Sequence, residues 1–290
     1  MPHIRMTMPV ELPEPETIDV PGLLEACLSG EVEMVCVLGP TASGKTRYSV
    51  ALAREFNRLA APSLSCPTAS PPSCPTRSGI SFPSASRAEI ISADSRQVYV
   101  GMDIGSGKDM AEYGEIPVHL VDIAPAGSKY NVYRYQQDFA RVYADIRSRG
   151  CIPILCGGTG LYIEAAACGY DFGKDQPTVD PSLLPSKTYF IGTLVSREER
   201  NARIDARLRE RLDNGLVEEV KGLLDSGVPA ENLIYYGLEY KFVTQYVLGI
   251  LTEEEMFTLL SNAIHQFAKR QMTWFRGMER DGRLIHWVQV

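Results

Sequence analysis

A chain of 290 residues with 44% apolar content is long enough to bury a sizeable core, and its length suits one large domain with an appendage. A formal charge of −7 argues against binding nucleic acid through bulk electrostatics, which calls for a basic surplus that displaces counterions from phosphates, so any such contact has to be local. No stretch approaches the ~20 apolar residues of a membrane helix, the opening MPHIRMTMPVELPEPE lacks a signal-peptide core, and seven cysteines in neither CxxC nor zinc spacing predict reduced thiols in the cytoplasm.

Residues 1 to 30 read as a Pro- and Glu-rich tail leading to a short helix near Pro21 to Ser29, and residues 31 to 290 as the domain. The β-branched run MVCVLG (34 to 39) ends in glycine and precedes RYSVALAREF, where Tyr48, Leu52, Ala53 and Phe56 recur at helical spacing: strand, glycine loop, helix. Between Ala61 and Arg87, Ser and Pro supply 14 of 27 residues, a composition that builds no core and reads as a surface excursion.

Order resumes with EIISADS, a short strand with a polar end, and with IPVHLVDI (116 to 123), an apolar run expected to form a strand through Asp122. The helix YRYQQDFARVYADIRSRG places Tyr135, Phe139, Val142, Tyr143 and Ile146 on one face and stops at Gly150. CIPILC and KTYFIGTLV are further strands, followed by a charged helix from about Ser196 to Leu212 and helical sequence to Gly277, a C-terminal helical segment spanning 196 to 278. Strands alternating with helices imply an α/β fold with a mostly parallel, P-loop NTPase-like sheet covered by helices and ligands at the carboxyl ends of the strands.

The segment GPTASGKT, Gly39, Pro40, Thr41, Ala42, Ser43, Gly44, Lys45 and Thr46, satisfies GxxxxGK[ST] between a strand and a helix. Successive loop N–H groups point at an anion, Lys45 adds a point charge, and the Thr46 hydroxyl can ligate Mg²⁺. The loop does not choose its anion, because a diphosphate leaving group offers the same oxygens as a nucleotide's terminal phosphates. Asp122, at the end of its run, is either a metal-binding aspartate or a turn residue.

Three further segments, ISADSRQVYVGMDIGSGK (91 to 108), GGTGLYI (157 to 163) and QFAKRQMTWFRGM (266 to 278), follow the loop in an order that resembles the tRNA dimethylallyltransferase, or isopentenyltransferase, family over roughly 34 to 168 and 188 to 278. The resemblance implies transfer of the five-carbon group of dimethylallyl diphosphate to N6 of an adenine, in tRNA the one next to the anticodon, with release of diphosphate. It makes Asp94 the carboxylate that orients the poorly nucleophilic amine and takes its proton. Lys45, Mg²⁺ on Thr46 and an arginine would stabilise the departing diphosphate. Arg203 and Arg207 lie one helical turn apart, and the family's RIxxR pattern points to Arg203. Thr41 and Ser43 match positions that touch the diphosphate, whereas Ser95, Arg96, Gln97 and Thr159 match acceptor contacts. Lys269, Arg270 and Arg276 with Trp274 and Phe275 make a local basic and aromatic face suited to RNA.

Each role has a plainer alternative: a helix N-cap for Asp94, solvated arginines on the charged helix, and an amphipathic helix with Trp274 in the core. The chain also departs from the family, because only GYDFGKDQPTVDPSLLPS (169 to 186) stands where bacterial members carry a long helical insertion that grips the anticodon stem. Such a compact member could modify tRNA through its C-terminal helix or prenylate a free adenine nucleotide, as cytokinin-forming relatives do. A nucleoside or nucleotide kinase shares loop and sheet, and a non-catalytic RNA-binding descendant would lack need of Lys45, Thr46 and Asp94, all of which are present.

Overall fold

The computed structural model describes residues 13–60, 88–170 and 179–290. The Ser/Pro-rich excursion at 61–87 and the first twelve residues of the tail lie outside the described residues. Along the chain run α1 (Val20–Ser29), β1 (Met34–Leu38), α2 (Lys45–Ala60), β2 (Ala88–Ser92), β3 (Tyr99–Val100), α3 (Met110–Tyr113), β4 (Val118–His119), β5 (Ala124–Pro125), α4 (Val132–Ser148), β6 (Ile152–Gly157) and α5 (Gly160–Glu164). They are followed by β7 (Thr188–Leu194), α6 (Arg197–Asp213), α7 (Leu216–Asp225), α8 (Ala230–Tyr236), α9 (Leu238–Val247), α10 (Glu253–Arg280) and β8 (Ile285–Gln289).

Continuous apolar runs become strands because both faces of the sheet are covered. The order is β4-β2-β6-β1-β7-β8 with every pairing parallel. Alternation along β1 sorts its side chains: Met34, Cys36 and Leu38 enter one apolar layer with Tyr135, Phe139, Tyr240 and Phe275, while Val35 and Val37 enter another with Val50, Leu52 and Phe56. The helical C-terminal part thus shares its core with the sheet. α1, assigned with the tail on sequence, packs Leu23, Leu24 and Cys27 into the second layer.

Two expectations change. No single strand covers 116–123: Val118–His119 pair with β2, Leu120 (φ 62°) and Asp122 (φ 55°) turn left-handed, and Ala124–Pro125 pair with β3. β8 was not foreseen; its five residues extend the sheet beside β7 after the 28-residue α10, which opens on a capping box between Thr252 and Glu255. Between α5 and β7, where the family's insertion would stand, the described residues hold a π turn (Ala165–Gly169) and one 3₁₀ turn (Pro181–Leu183).

Candidate active site

The glycine loop leaves β1 at Leu38 and enters α2 at Lys45, with Ala42 (φ 61°) and Gly44 (φ 80°) in the left-handed region. Its shape is held from outside. Ser43 Oγ lies 2.6 Å from Thr193 Oγ1 on the neighbouring β7, and Thr41 N–H donates to Gln271 Oε1 at 2.8 Å. Lys45 Nζ reaches Pro40 O at 3.4 Å. Burial holds the Lys45 ammonium below the ordinary lysine value, although the Cys156 thiol and Asp94 carboxylate beside it pull the other way. A cation so poorly solvated gains from an arriving anion.

At the end of β2, Asp94 caps no helix. Its Oδ1 accepts the Arg96 N–H at 2.9 Å, closing an Asx turn, and Oδ2 has no hydrogen-bond partner among the described residues. The GGTG turn after β6 sits against this loop: Thr159 N–H donates to Ala93 O at 3.3 Å, and Thr159 Oγ1 accepts the Ser95 N–H at 3.2 Å. Thr159 and Ser95 therefore share one corner with Asp94.

Arg96 and Gln97 are turned inward. Arg96 Nη1 pairs with the buried Glu239 at 2.5 Å, and Gln97 accepts from Ser92 Oγ at 3.2 Å while donating to Gly107 O at 3.4 Å. Both side chains are thus anchored within the protein, Gln97 through both ends of its amide and Arg96 through Nη1. Asp122 is likewise not at the loop; it pairs with Lys108, whose buried ammonium also binds Asp103 and Tyr99 O. The metal-binding alternative for Asp122 gives way to a brace.

Beside the loop lies a cavity of about 350 Å³ lined by Lys45, Thr46, Asp109, Glu112, Arg207 and Arg211, among others. Arg203 does not line it. The Arg203 guanidinium binds Glu199 at 2.7 Å, one turn earlier on α6, and Val290 O at 3.5 Å, the Val290 side chain lying against Gly44, whereas Arg207 lines the cavity itself. Burial and then the Asp109 carboxylate push the Glu112 carboxyl above the usual range, against Arg207, Arg47 and Lys45. Two carboxylates facing Thr46 in one cavity are a donor set that a divalent cation relieves. No group of three or more His, Cys, Asp or Glu side chains among the described residues could hold a metal ion, so such an ion would lean on the oxygens of its ligand.

α10 crosses the other side of the site. Gln271 is buried, takes the Thr41 N–H on Oε1, and gives Nε2 to Gly158 O at 2.8 Å, so one amide joins the phosphate loop to the GGTG turn. A Cβ on Gly158 would stand 2.4 Å from that nitrogen, and one on Gly160 2.4 Å from the Trp274 ring. Trp274 lies over Gly160 yet stays 41% exposed, whereas Phe275 is fully buried, so of the two aromatic residues expected on this face only Trp274 reaches the surface. Lys269 and Arg270 are exposed, and Arg270 and Trp274 border a second cavity of about 470 Å³ against α5.

Gln271, Glu239, Arg211 and Glu112 escaped sequence reasoning. Gln271 lies inside the segment 266–276, between the basic and aromatic residues that drew attention. The others sit in helices whose periodicity marks only the apolar face.

The IPP transferase family model matches residues 97–185 and 171–278. Among curated relatives, tRNA dimethylallyltransferase 2 of Porphyromonas gingivalis is 44% identical over 313 residues, covering 89% of this chain and 94% of the relative. The protein of that name from Bacteroides fragilis is 40% identical over 316 residues, covering 90% and 94%. Since 89% of 290 residues is about 258, the first relative carries about 55 positions without a counterpart here. The family model breaks into two matches that overlap at 171–185, where the helical insertion is missing. Among solved structures, the full-length tRNA isopentenylpyrophosphate transferase of Bacillus halodurans superposes with a TM-score of 0.69 at 26% identity, covering 88% of this chain and 89% of that one. The tRNA delta(2)-isopentenylpyrophosphate transferase of Staphylococcus epidermidis gives 0.68 at 26%, covering 88% and 92%.

Proposed function

Because the chain belongs to the tRNA dimethylallyltransferase, or IPP transferase, family, we propose that it transfers the dimethylallyl group of dimethylallyl diphosphate to N6 of an adenine in tRNA, next to the anticodon. The observation that carries this reading is the Gln271 amide, which ties the phosphate loop to the turn beside Asp94 and so seats an anion site and a proton acceptor in one pocket region.

In this reading the adenine amine, oriented by Asp94 with Thr159 and Ser95 alongside, attacks the allylic carbon as its bond to the diphosphate oxygen breaks. The proton on the amine passes to Asp94 and the bonding pair leaves with the diphosphate. Loop N–H groups, Lys45 and Arg207 stabilise that leaving anion as charge develops on it. Arg207, which lines the loop cavity, is placed to take this part directly, and Arg203, the residue of the RIxxR pattern, reaches the loop's edge through Val290, whose side chain lies against Gly44. Mg²⁺, when bound, would neutralise charge on the diphosphate, with Thr46 and the Asp109 and Glu112 carboxylates around it. Trp274, Arg270 and Lys269 offer an exposed aromatic and basic edge to the RNA.

The test is transfer of labelled dimethylallyl diphosphate, with Mg²⁺, to unmodified tRNA and separately to AMP, ADP and ATP. Label in tRNA is the expected result. Label in a free nucleotide alone would overturn the assignment, and phosphoryl transfer from ATP would replace it with a kinase. Among the described residues no helix is long and apolar enough to cross a membrane.

A further inference from the structure

Glu239 stands at the second position of α9 and is 2% exposed, yet both of its carboxylate oxygens are engaged by cations from different parts of the site. Oε1 accepts from Arg211 Nη1 at 2.7 Å and Oε2 from Arg96 Nη1 at 2.5 Å. Arg211 belongs to the wall of the loop cavity, where it also donates to Gly105 O at 3.3 Å. Arg96 follows Asp94 by two residues and gives Asp94 its backbone N–H, while its guanidinium lies over the Phe267 ring.

The backbone is bent to deliver Glu239 there. Gly237 (φ 74°) and Leu238 (φ 41°) both take positive φ between α8 and α9, and a leucine in that region carries strain that its surroundings must hold. The hold is visible next door: Tyr240 Oη donates to Glu219 Oε1 at 2.9 Å, and Glu219 accepts three successive N–H groups, from Asp103, Ile104 and Gly105, at 2.6 to 3.0 Å.

A proton acceptor needs an unoccupied carboxylate oxygen. Asp94 has one in Oδ2, although the Arg96 guanidinium starts only two residues away and arginine closes onto carboxylates as a two-bond fork. What prevents this is a competing carboxylate that has no water to satisfy it. Lys45 on α2, Tyr113 on α3 and Tyr162 on α5 also interact electrostatically with Asp94, and none of these three hydrogen-bonds Arg96.

We infer that Glu239 is a positioning residue of the transfer reaction: by holding Arg96 it keeps the Asp94 carboxylate open to the acceptor amine, and by holding Arg211 it fixes the wall of the diphosphate cavity. The inference rests on the proposed transferase reading.

Glu239→Gln in the full chain keeps the shape and removes the charge. Its kcat for tRNA prenylation is expected to fall about 10- to 100-fold, a part of what a general base supplies, with KM for tRNA changed by less than about threefold. Adding Arg96→Gln to it should recover kcat by about threefold or more, because nothing then captures Asp94. A crystal structure of E239Q should show the Arg96 guanidinium on Asp94. Independent, additive losses, or Arg96 still lying against residue 239 in that structure, would overturn the inference. If E239Q does not fold, Glu239→Asp keeps the charge and shortens the reach, and kcat should fall only if Arg96 moves onto Asp94 in its crystal structure; a fall without that move, or the move without a fall, overturns the inference equally. Absence of transfer by the unsubstituted enzyme strikes the functional reading instead, and the position of Arg96 in E239Q still decides whether Glu239 restrains it.

Discussion

Two buried glutamates at opposite ends of the sheet each grip two nitrogen-bearing side chains. Glu89, at the start of β2, binds Arg149 and His119; Glu239, beyond the strand ends, binds Arg96 and Arg211. They are 4% and 2% exposed, and on chemistry alone they are the same device. Their partners differ. Arg149 and His119 are 42% and 28% exposed and touch no cavity residue, whereas Arg96 and Arg211 are 12% and 15% exposed and belong to the Asp94 loop and the phosphate cavity. In a parallel sheet the carboxyl ends of the strands gather the loops, so a buried ion pair there orders chemistry, while the same pair at the amino ends orders only the fold.

Substitutions can break or sharpen that contrast. At the carboxyl end, Asp94→Asn should lower kcat by about 10²–10⁴ with diphosphate binding, measured by calorimetry, retained. Loss of binding would make Asp94 structural. Arg207→Ala should reduce kcat/KM for dimethylallyl diphosphate by about 10²-fold, as expected for one group aimed at a developing anion. Arg203→Ala, whose partner is Glu199 on an exposed turn, should cost less than about threefold, and the reverse ranking would restore the assignment from the RIxxR pattern. Trp274→Ala should raise KM for tRNA by about tenfold through lost stacking, leaving the KM for the donor unchanged.

The smallest effect belongs to the amino end. Burial opposes the Glu89 charge, but the Arg149 and His119 hydrogen bonds prevail and hold its carboxyl below the ordinary glutamate value. A depressed value in the folded state means stability that is present above the unfolded value and lost as pH falls through the folded one. Glu89→Gln should therefore lower Tm by a few degrees at neutral pH, about 1–2 kcal/mol, with the gap closing in acid and kcat unchanged. A change in kcat would erase the distinction between the two ends.

How much of this was legible in the sequence follows from what each feature depends on. MVCVL, IPILC and TYFIG read as strands because burial on both faces leaves them uninterruptedly apolar. The run 116–123 looked the same, but positive φ at Leu120 and Asp122 redirects the chain, and neither residue advertises that conformation. The loop Gly39–Thr46 was readable since its glycines and lysine recur at fixed spacing. Arg203 and Arg207 were not separable, because spacing puts both on one face and only the fold shows Arg207 lining the cavity and Arg203 reaching Glu199 and Val290 O. Gln271 depends on partners more than 100 residues away, and Glu239 on one 143 and another 28 residues away, so a local pattern carries no trace of them.

Gln271 has a consequence of another kind. Its side chain spans from the glycine loop to the GGTG turn beside Asp94, and its length is the ruler that sets their separation. Neither loop can drift by an ångström without the other following or the amide losing one end. The two turns are therefore gauged against each other by a residue on a helix that belongs to neither, and shortening it, as in Gln271→Asn, takes the gauge away from both at once.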